Sequence, residues 1–163
     1  MKYKKEQYLI STLRILLGSI FLWAFVDKVF GLGFSTAAEN SWLSGVSPTA
    51  GFLKFGTQGL FVEIFHWMAG SILVDILFMV GLLCIGLALI FGVGMKIASY
   101  SGTLLLTLMW LAIIPPEHHP IIDEHIIYAL LLILLSTTNS GEVLGMGKWW
   151  SKTKCVKKYA WLK

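Results

Sequence analysis

Four long apolar segments restrict the fold of this chain more than any other feature. A helix needs about 20 mostly apolar residues to cross a bilayer, and such segments occupy about residues 8–30, 67–93, 95–114 and 120–138. Only 13% of the residues are charged, against about 25% in a typical soluble domain, so lipid is the expected solvent. We predict an all-α integral membrane protein, a single four-helix bundle domain over residues 1–163.

The distribution of lysines predicts the orientation. If the four spans alternate in direction, most lysines fall on one side of the membrane, while Lys28, Lys54 and most acids fall on the other. Lys and Arg are concentrated in cytoplasmic loops. We therefore expect a multi-pass protein of the cytoplasmic membrane, with both termini in the cytoplasm. Because the lysines flank apolar segments, the net charge of +4 indicates a membrane surface and not a nucleic acid.

Two connecting segments carry further predictions. The long outer loop from Gly31 to His66 is rich in Phe, Leu and Trp, which is typical of backbone lying on the outer face of a bundle in short interfacial helices. Ser47 is the expected N-cap of one such helix, with Pro48 in its first turn. The tail, residues 142–163, is basic and aromatic, and we expect an amphipathic anchor on anionic lipid.

Two cations in the first segment lie on one helix face. Arg14 and Lys28 are fourteen residues apart, or about 21 Å along a helix axis, with Gly18, Phe21 and Phe25 between them. A charge within the hydrocarbon region should face the bundle interior and find a partner. One interpretation is a groove for an anionic or quinone-like headgroup. The alternative is that both side chains extend to the nearer membrane surface.

Asp75 is the acid that the second segment places deepest. If the span begins at about residue 67, Asp75 lies about 12 Å below the outer end, too deep for a short side chain to reach water. We expect it to pair with a cation of the first helix, of which Lys28 is nearer in depth than Arg14, or to be protonated. A structural ion pair and a proton-handling group both remain open.

The segment EHHPIIDEHIIY, Glu117 to Tyr128, concentrates histidines and acids near the start of the fourth segment. Asp123 and His125 are candidates for proton exchange with a quinone. Binding of a transition metal by His118, His119 and His125 is a weaker alternative, since their spacing matches no recognised ligand pattern. A solvated loop followed by a polar helix start is the third interpretation.

Several segments resemble the DoxX family. They are LRILLGSIFLWAFVDKVFGLGFST, SWLSGVSPTAGFL, VDILFMVGLLCIGLALIFGVGMKIASYSG and PIIDEHIIYALLLI. The resemblance covers about residues 12–150 and is greatest to the branch of DoxD, a membrane subunit of thiosulfate:quinone oxidoreductase. It implies that the motif residues of the family correspond to Arg14, Lys28, Trp42, Gly45, Ser47, Pro48, Thr49, Asp75, Pro120, Asp123 and His125.

The resemblance implies a subunit of a quinone-linked oxidoreductase in sulfur or oxidative-stress metabolism. A quinone is the expected cofactor. The sequence has no haem, flavin or iron–sulfur signature, so electrons would come from a partner redox subunit, and whether this chain is itself an enzyme stays open. The predicted catalytic residues are Asp75, Asp123 and His125, and the predicted quinone-binding residues are Arg14, Lys28, Trp42, Ser47, Thr49 and Tyr128.

Two other functions remain open. A non-catalytic scaffold or assembly subunit would use its polar residues as ion pairs that stabilise the bundle. A small-molecule binder or transporter would need a water-filled cavity and, for so short a chain, a homo-oligomer. The sequence does not specify the substrate, the partner or the oligomeric state.

Overall fold

The computed structural model describes residues 3–162, and this part of the chain is helical without strands. The prediction of an all-α fold is thus confirmed. The α-helices, in chain order, are α1 (Lys5–Phe30), α2 (Val62–Met68), α3 (Ile72–Phe91), α4 (Met95–Ile113), α5 (Glu124–Thr137), α6 (Gly147–Trp150) and α7 (Lys154–Lys158).

Helices α1, α3 and α4 are long and apolar enough to cross a membrane, with 26, 20 and 19 residues. Helix α5 has 14 residues, or about 21 Å of helix, and is shorter than a typical span. The predicted helix start at Pro120 is wrong. The helix begins at Glu124 because Asp123 is its N-cap, with Asp123 Oδ1 accepting a 3.3 Å hydrogen bond from Ile126 N.

The predicted second segment, residues 67–93, is two helices. Helix α2 ends at Met68 and α3 begins at Ile72. Between them Gly70 has a φ of +83°, a left-handed conformation that glycine adopts without steric cost. Asp75 therefore lies in the first turn of α3, not about 12 Å inside a span.

The four longest helices pack antiparallel in chain order, α1 on α3, α3 on α4 and α4 on α5. Glycines allow α1 and α3 to approach closely: a Cβ on Gly18 would lie 2.8 Å from Leu89 Cβ, and one on Gly86 would lie 2.8 Å from Leu22 N. All four helices contribute to one hydrophobic core, which contains Leu17, Phe21, Met79, Leu82, Ile85, Leu89, Met95, Leu106, Ala129, Leu132 and Leu135.

The antiparallel order gives the molecule a basic and an acidic end. The basic end comprises the start of α1, the α3–α4 turn, the end of α5 and the tail. Just before the tail, Ser140 O accepts a 3.0 Å hydrogen bond from Ser11 Oγ of α1. Its described lysines are Lys4, Lys5, Lys96, Lys148, Lys152, Lys154, Lys157 and Lys158. The acidic end holds Asp27, Glu39, Glu63, Asp75, Glu117, Asp123 and Glu124.

The connection between α1 and α3 covers the acidic end with short helical turns. They are 3₁₀ helices at Ala38–Asn40, Trp42–Ser44 and Gly59–Phe61, a π-helix at Phe52–Gly56, and α2. Ala50 N donates to Ser47 Oγ at 3.0 Å, as expected of a cap, but the helix in this stretch begins at Phe52 and has Gly51 as its N-cap. Phe55, Leu60 and Trp67 are 86–92% exposed, as expected of a segment that lies against lipid.

Candidate functional site

A cavity of about 520 Å³ lies between α3 and α4 near the acidic end. Leu77, Phe78 and Gly81 line it from α3, and Leu104 and Leu108 line it from α4. The connection covers it with Pro48, Thr49, Phe52, Leu53, Phe65 and Met68. Its size falls within the range of about 300–1,000 Å³ typical of small-molecule sites.

Among the described residues, Lys28 is the one charged residue in the wall of this cavity. It reaches the cavity from the last turn of α1 and is half-buried. Among residues 3–162, no carboxylate lies within 4.0 Å of its ammonium group. Asp27 contributes a favourable Coulomb interaction at longer range. The cavity is therefore an apolar site with one cation that has no ion-pair partner in the described chain.

Asp75 lies behind Thr49, outside the cavity wall. It is 6% exposed, and its Oδ1 accepts hydrogen bonds from Ser47 Oγ at 2.8 Å and Thr49 Oγ1 at 2.5 Å. The predicted ion pair with Lys28 is not formed in the described structure. Because α3 begins at Ile72, the carboxylate faces the turn at residues 47–49, where two hydroxyl groups stabilise it.

Asp27 anchors the covering connection to the end of α1. Its side chain is 1% exposed and accepts hydrogen bonds from Phe34 N at 3.3 Å, Ser35 N at 2.9 Å and Ser35 Oγ at 2.7 Å. The carboxylate of Asp27 thus accepts three hydrogen bonds from the connection between α1 and α3. It does not form an ion pair with Lys28.

Arg14 lies at the opposite end of α1 and is fully buried. Its Nη1 donates to Leu89 O at 2.5 Å and Ile90 O at 3.2 Å. Its Nη2 donates to Val143 O at 3.2 Å and Leu144 O at 2.8 Å. The first two carbonyls belong to the last turn of α3, where carbonyl groups lack helical partners. Arg14 thus joins the end of α3 to the tail.

No groove runs from Arg14 to Lys28, contrary to one sequence interpretation. Gly18 packs against α3, and Phe21 is 4% exposed in the core. The alternative, extension of Arg14 to the membrane surface, is also wrong because the side chain is buried. Close packing of α1 against α3 fills the space between the two cations.

Four other predicted site residues lie outside the cavity wall. Trp42 and Tyr128 pack against the central core. Asp123 and His125 form a dyad at the start of α5, with Asp123 Oδ2 2.5 Å from His125 Nδ1. Such a contact favours a proton on Nδ1 and leaves Nε2 as an acceptor. The structure therefore brings Lys28 and Thr49 to the cavity and places the dyad elsewhere.

The three histidines of the metal alternative do not form one site in the described chain. The group with suitable geometry is Asp123, Glu124 and His125, whose ligand atoms lie within 4.8 Å of one another. His119 Nδ1 instead accepts hydrogen bonds from Ile121 N at 3.1 Å and Ile122 N at 2.9 Å. Both Asp123 oxygens are already hydrogen-bonded, which weakens the donor set.

Sequence reasoning missed the contribution of α4 to the cavity. It assigned no site residue to the third predicted span, whereas Leu104, Leu108 and Met109 of α4 form a wall opposite α3. One available signal was Gly81, which leaves space in the middle of an otherwise bulky apolar helix.

Within residues 3–162, the fold and site define an all-helical protein with three candidate membrane spans and an apolar cavity whose wall contains one cation. Comparisons with family models, curated proteins and solved structures find no match for this chain.

Proposed function

We propose that this protein is a DoxX-like membrane subunit that binds a quinone in the cavity between α3 and α4 and takes part in quinone-linked redox chemistry with a partner subunit. The observation that carries the proposal is the ammonium group of Lys28, which has no ion-pair partner within residues 3–162 in the wall of an apolar cavity. A charge in such surroundings is costly unless it is paired. A quinone carbonyl or quinol oxygen would supply an acceptor, and the apolar walls would hold the ring.

The covering connection supports the same assignment. Thr49 lines the cavity and donates its hydroxyl proton to Asp75, so a Thr49 lone pair can accept a hydrogen bond from a quinol hydroxyl. Proton exchange through Asp75 would follow this route. The Asp123–His125 dyad would exchange protons with solvent at the same end of the molecule.

The proposal includes a fourth span and a defined orientation. Helix α5 contributes about 21 Å at about 1.5 Å per residue, and the segment 120–123, which is bent at residues 120 and 121, adds at most about 13 Å at about 3.3 Å per residue. Non-helical backbone in lipid must be hydrogen-bonded. His119 Nδ1 accepts from Ile121 N and Ile122 N, and Trp110 Nε1 donates to Ile121 O at 2.6 Å.

The basic end would face the cytoplasm of the cell membrane, with both termini, by the excess of lysine on that side. Reporter fusions at the C-terminus and after Glu117 test this orientation. A cytoplasmic signal from the Glu117 fusion would contradict it.

Binding of quinone analogues to the purified protein, alone and with candidate donor proteins, tests the function. A hydrogen bond to a charged group contributes about 1.5–3 kcal/mol, so Lys28→Met should weaken binding about 10- to 100-fold. Lys54→Met is the matched control, because Lys54 is exposed and lies outside the cavity wall. If neither the wild type nor the control binds quinones, or if both variants bind equally, the proposal fails.

A non-catalytic scaffold is the second candidate function. The observation that favours it is that Arg14, Asp27 and Asp75 all form hydrogen bonds with other segments of the chain. The two functions predict different results for Lys28→Met. In a scaffold the substitution leaves partner activity unchanged, whereas in a quinone-binding subunit activity is lost while the protein remains folded.

A further inference from the structure

A second cavity, of about 260 Å³, lies at the basic end, far from Lys28. It forms where the start of α4, the end of α5 and the tail meet. Unlike the first cavity it is lined by polar groups, among them Lys96, Thr137, Thr138 and Asn139, with the indole of Trp150 on one side.

Lys96 supplies the positive charge of this cavity. It lies in the first turn of α4 and is exposed, and no carboxylate is within 4.0 Å of it in the described residues. Glu142 also lines the cavity, and Lys148 has a favourable Coulomb interaction with it. The remaining described lysines of the basic end add to a positive potential around the opening.

Two other polar groups of the cavity wall can accept hydrogen bonds from a ligand. Thr137 Oγ1 and Thr138 Oγ1 donate to Leu134 O and Leu135 O at 2.8 and 3.2 Å. Each hydroxyl oxygen therefore presents its lone pairs as acceptors to a ligand. A ligand that carries an anion for Lys96 and hydroxyl groups for the threonines matches both features.

The position of the cavity corresponds to the headgroup layer of a membrane. It lies at the ends of two helices, beside Trp149 and Trp161, which are 60% and 62% exposed. Exposed tryptophans of this kind are enriched at membrane–water interfaces. A phosphodiester with a polyol headgroup has the required depth, charge and hydrogen-bond donors.

We propose that this cavity binds the headgroup of an anionic phospholipid of the phosphatidylglycerol class, with the phosphate on Lys96 and the glycerol hydroxyls on Thr137 and Thr138. Lipid binding here requires the membrane placement proposed above but not quinone binding, so the two proposals can fail separately. A choline headgroup lacks hydroxyl donors and would place its cation beside Lys96, so phosphatidylcholine is expected to bind poorly.

Lipid titration of the purified protein in neutral detergent tests the site. The thermal midpoint and the number of lipids retained in native mass spectrometry are the readouts. Phosphatidylglycerol should bind at least tenfold more tightly than phosphatidylcholine, and Lys96→Gln should remove that preference. Lys152→Gln is the matched control, since it removes the same charge from the same end but lies outside the cavity wall. This variant should keep the preference.

Three results would overturn the proposal. Equal losses in Lys96→Gln and Lys152→Gln would indicate diffuse surface attraction without a defined site. Stabilisation by inorganic phosphate equal to that by phosphatidylglycerol would indicate a site for small anions. Equal binding of the two lipids by the wild type would show that the cavity does not select headgroups.

Discussion

Arg14 and Lys28 lie fourteen residues apart on the same helix, but the two ends of α1 use their cations in opposite ways. Arg14 is fully buried and donates to four backbone carbonyls. Lys28 is half-buried beside a cavity and has no ion-pair partner in the described chain. Two cations that occupy the same face in a helical pattern therefore differ in burial and in the hydrogen bonds and ion pairs that they form.

The difference between the two cations arises from the polar groups that pack around each end of α1. At the basic end, the tail packs against the last turn of α3. Carbonyl groups without helical partners therefore lie next to the guanidinium of Arg14. At the acidic end, nearby polar groups are already engaged, Asp27 with Ser35 and Asp75 with Thr49. The guanidinium of Arg14 is held by backbone carbonyls of two segments, whereas the ammonium group of Lys28 has no ion-pair partner within residues 3–162.

Arg14→Met should have the largest effect. It removes the donor from four backbone carbonyls, of which those of Leu89 and Val143 are in buried hydrogen bonds, and we expect the free energy of unfolding to fall by about 3–5 kcal/mol. Unfolding in mixed detergent micelles measures this. Lys28→Met is the matched control and should leave stability within about 0.5 kcal/mol, because it removes a cation without an ion-pair partner in the described structure. If Arg14→Met is as stable as this control, Arg14 does not hold α3 to the tail.

Gly92→Ala should have the next largest effect, through the same arginine. A Cβ at Gly92 would lie 2.6 Å from Arg14 Nη1 and 2.7 Å from Gly141 O. Gly92 also has a φ of +69°, which costs an L-residue about 1–2 kcal/mol. We expect a total loss of about 2–5 kcal/mol, since overpacking adds about 1–3 kcal/mol.

Gly94→Ala separates these two contributions. Gly94 has a φ of +60°, but a Cβ there would meet nothing within 4 Å, so only the backbone cost of about 1–2 kcal/mol applies. Thermal unfolding of both variants gives the difference. Equal losses would show that Arg14 moves aside without cost, and that its hydrogen bonds are not fixed by packing.

The parts of this fold that sequence predicts well are those set by the bilayer. The predicted limits of α1 and α4 differ from the structure by at most three residues, because a continuous apolar run of suitable length has few other interpretations. The charge segregation between the two ends is also correct. Both properties depend on composition along the chain and not on contacts between distant segments.

Contacts between distant segments account for the errors. The partners of Arg14 lie at residues 89–90 and 143–144, and no local pattern shows that those carbonyls lack donors. Gly70 is a sequence signal for the interruption between α2 and α3. Because the residues on both sides are apolar, the segment was nevertheless interpreted as one continuous span. That error displaced Asp75 in depth and led to a predicted ion pair with Lys28, where the structure has two hydroxyl groups.

Thr49→Val should have a smaller effect than Arg14→Met or Gly92→Ala, and it sharpens the comparison at the acidic end. The substitution keeps the shape of a side chain that is 5% exposed but removes the 2.5 Å hydrogen bond to Asp75. Ser47 still donates to the same oxygen, so we expect a loss of about 1–2 kcal/mol in the free energy of unfolding. Combining Thr49→Val with Asp75→Asn in a double-mutant cycle measures the coupling. A coupling energy near zero would mean that Asp75 is held by Ser47 alone, and that the Thr49 hydroxyl is free to serve the cavity.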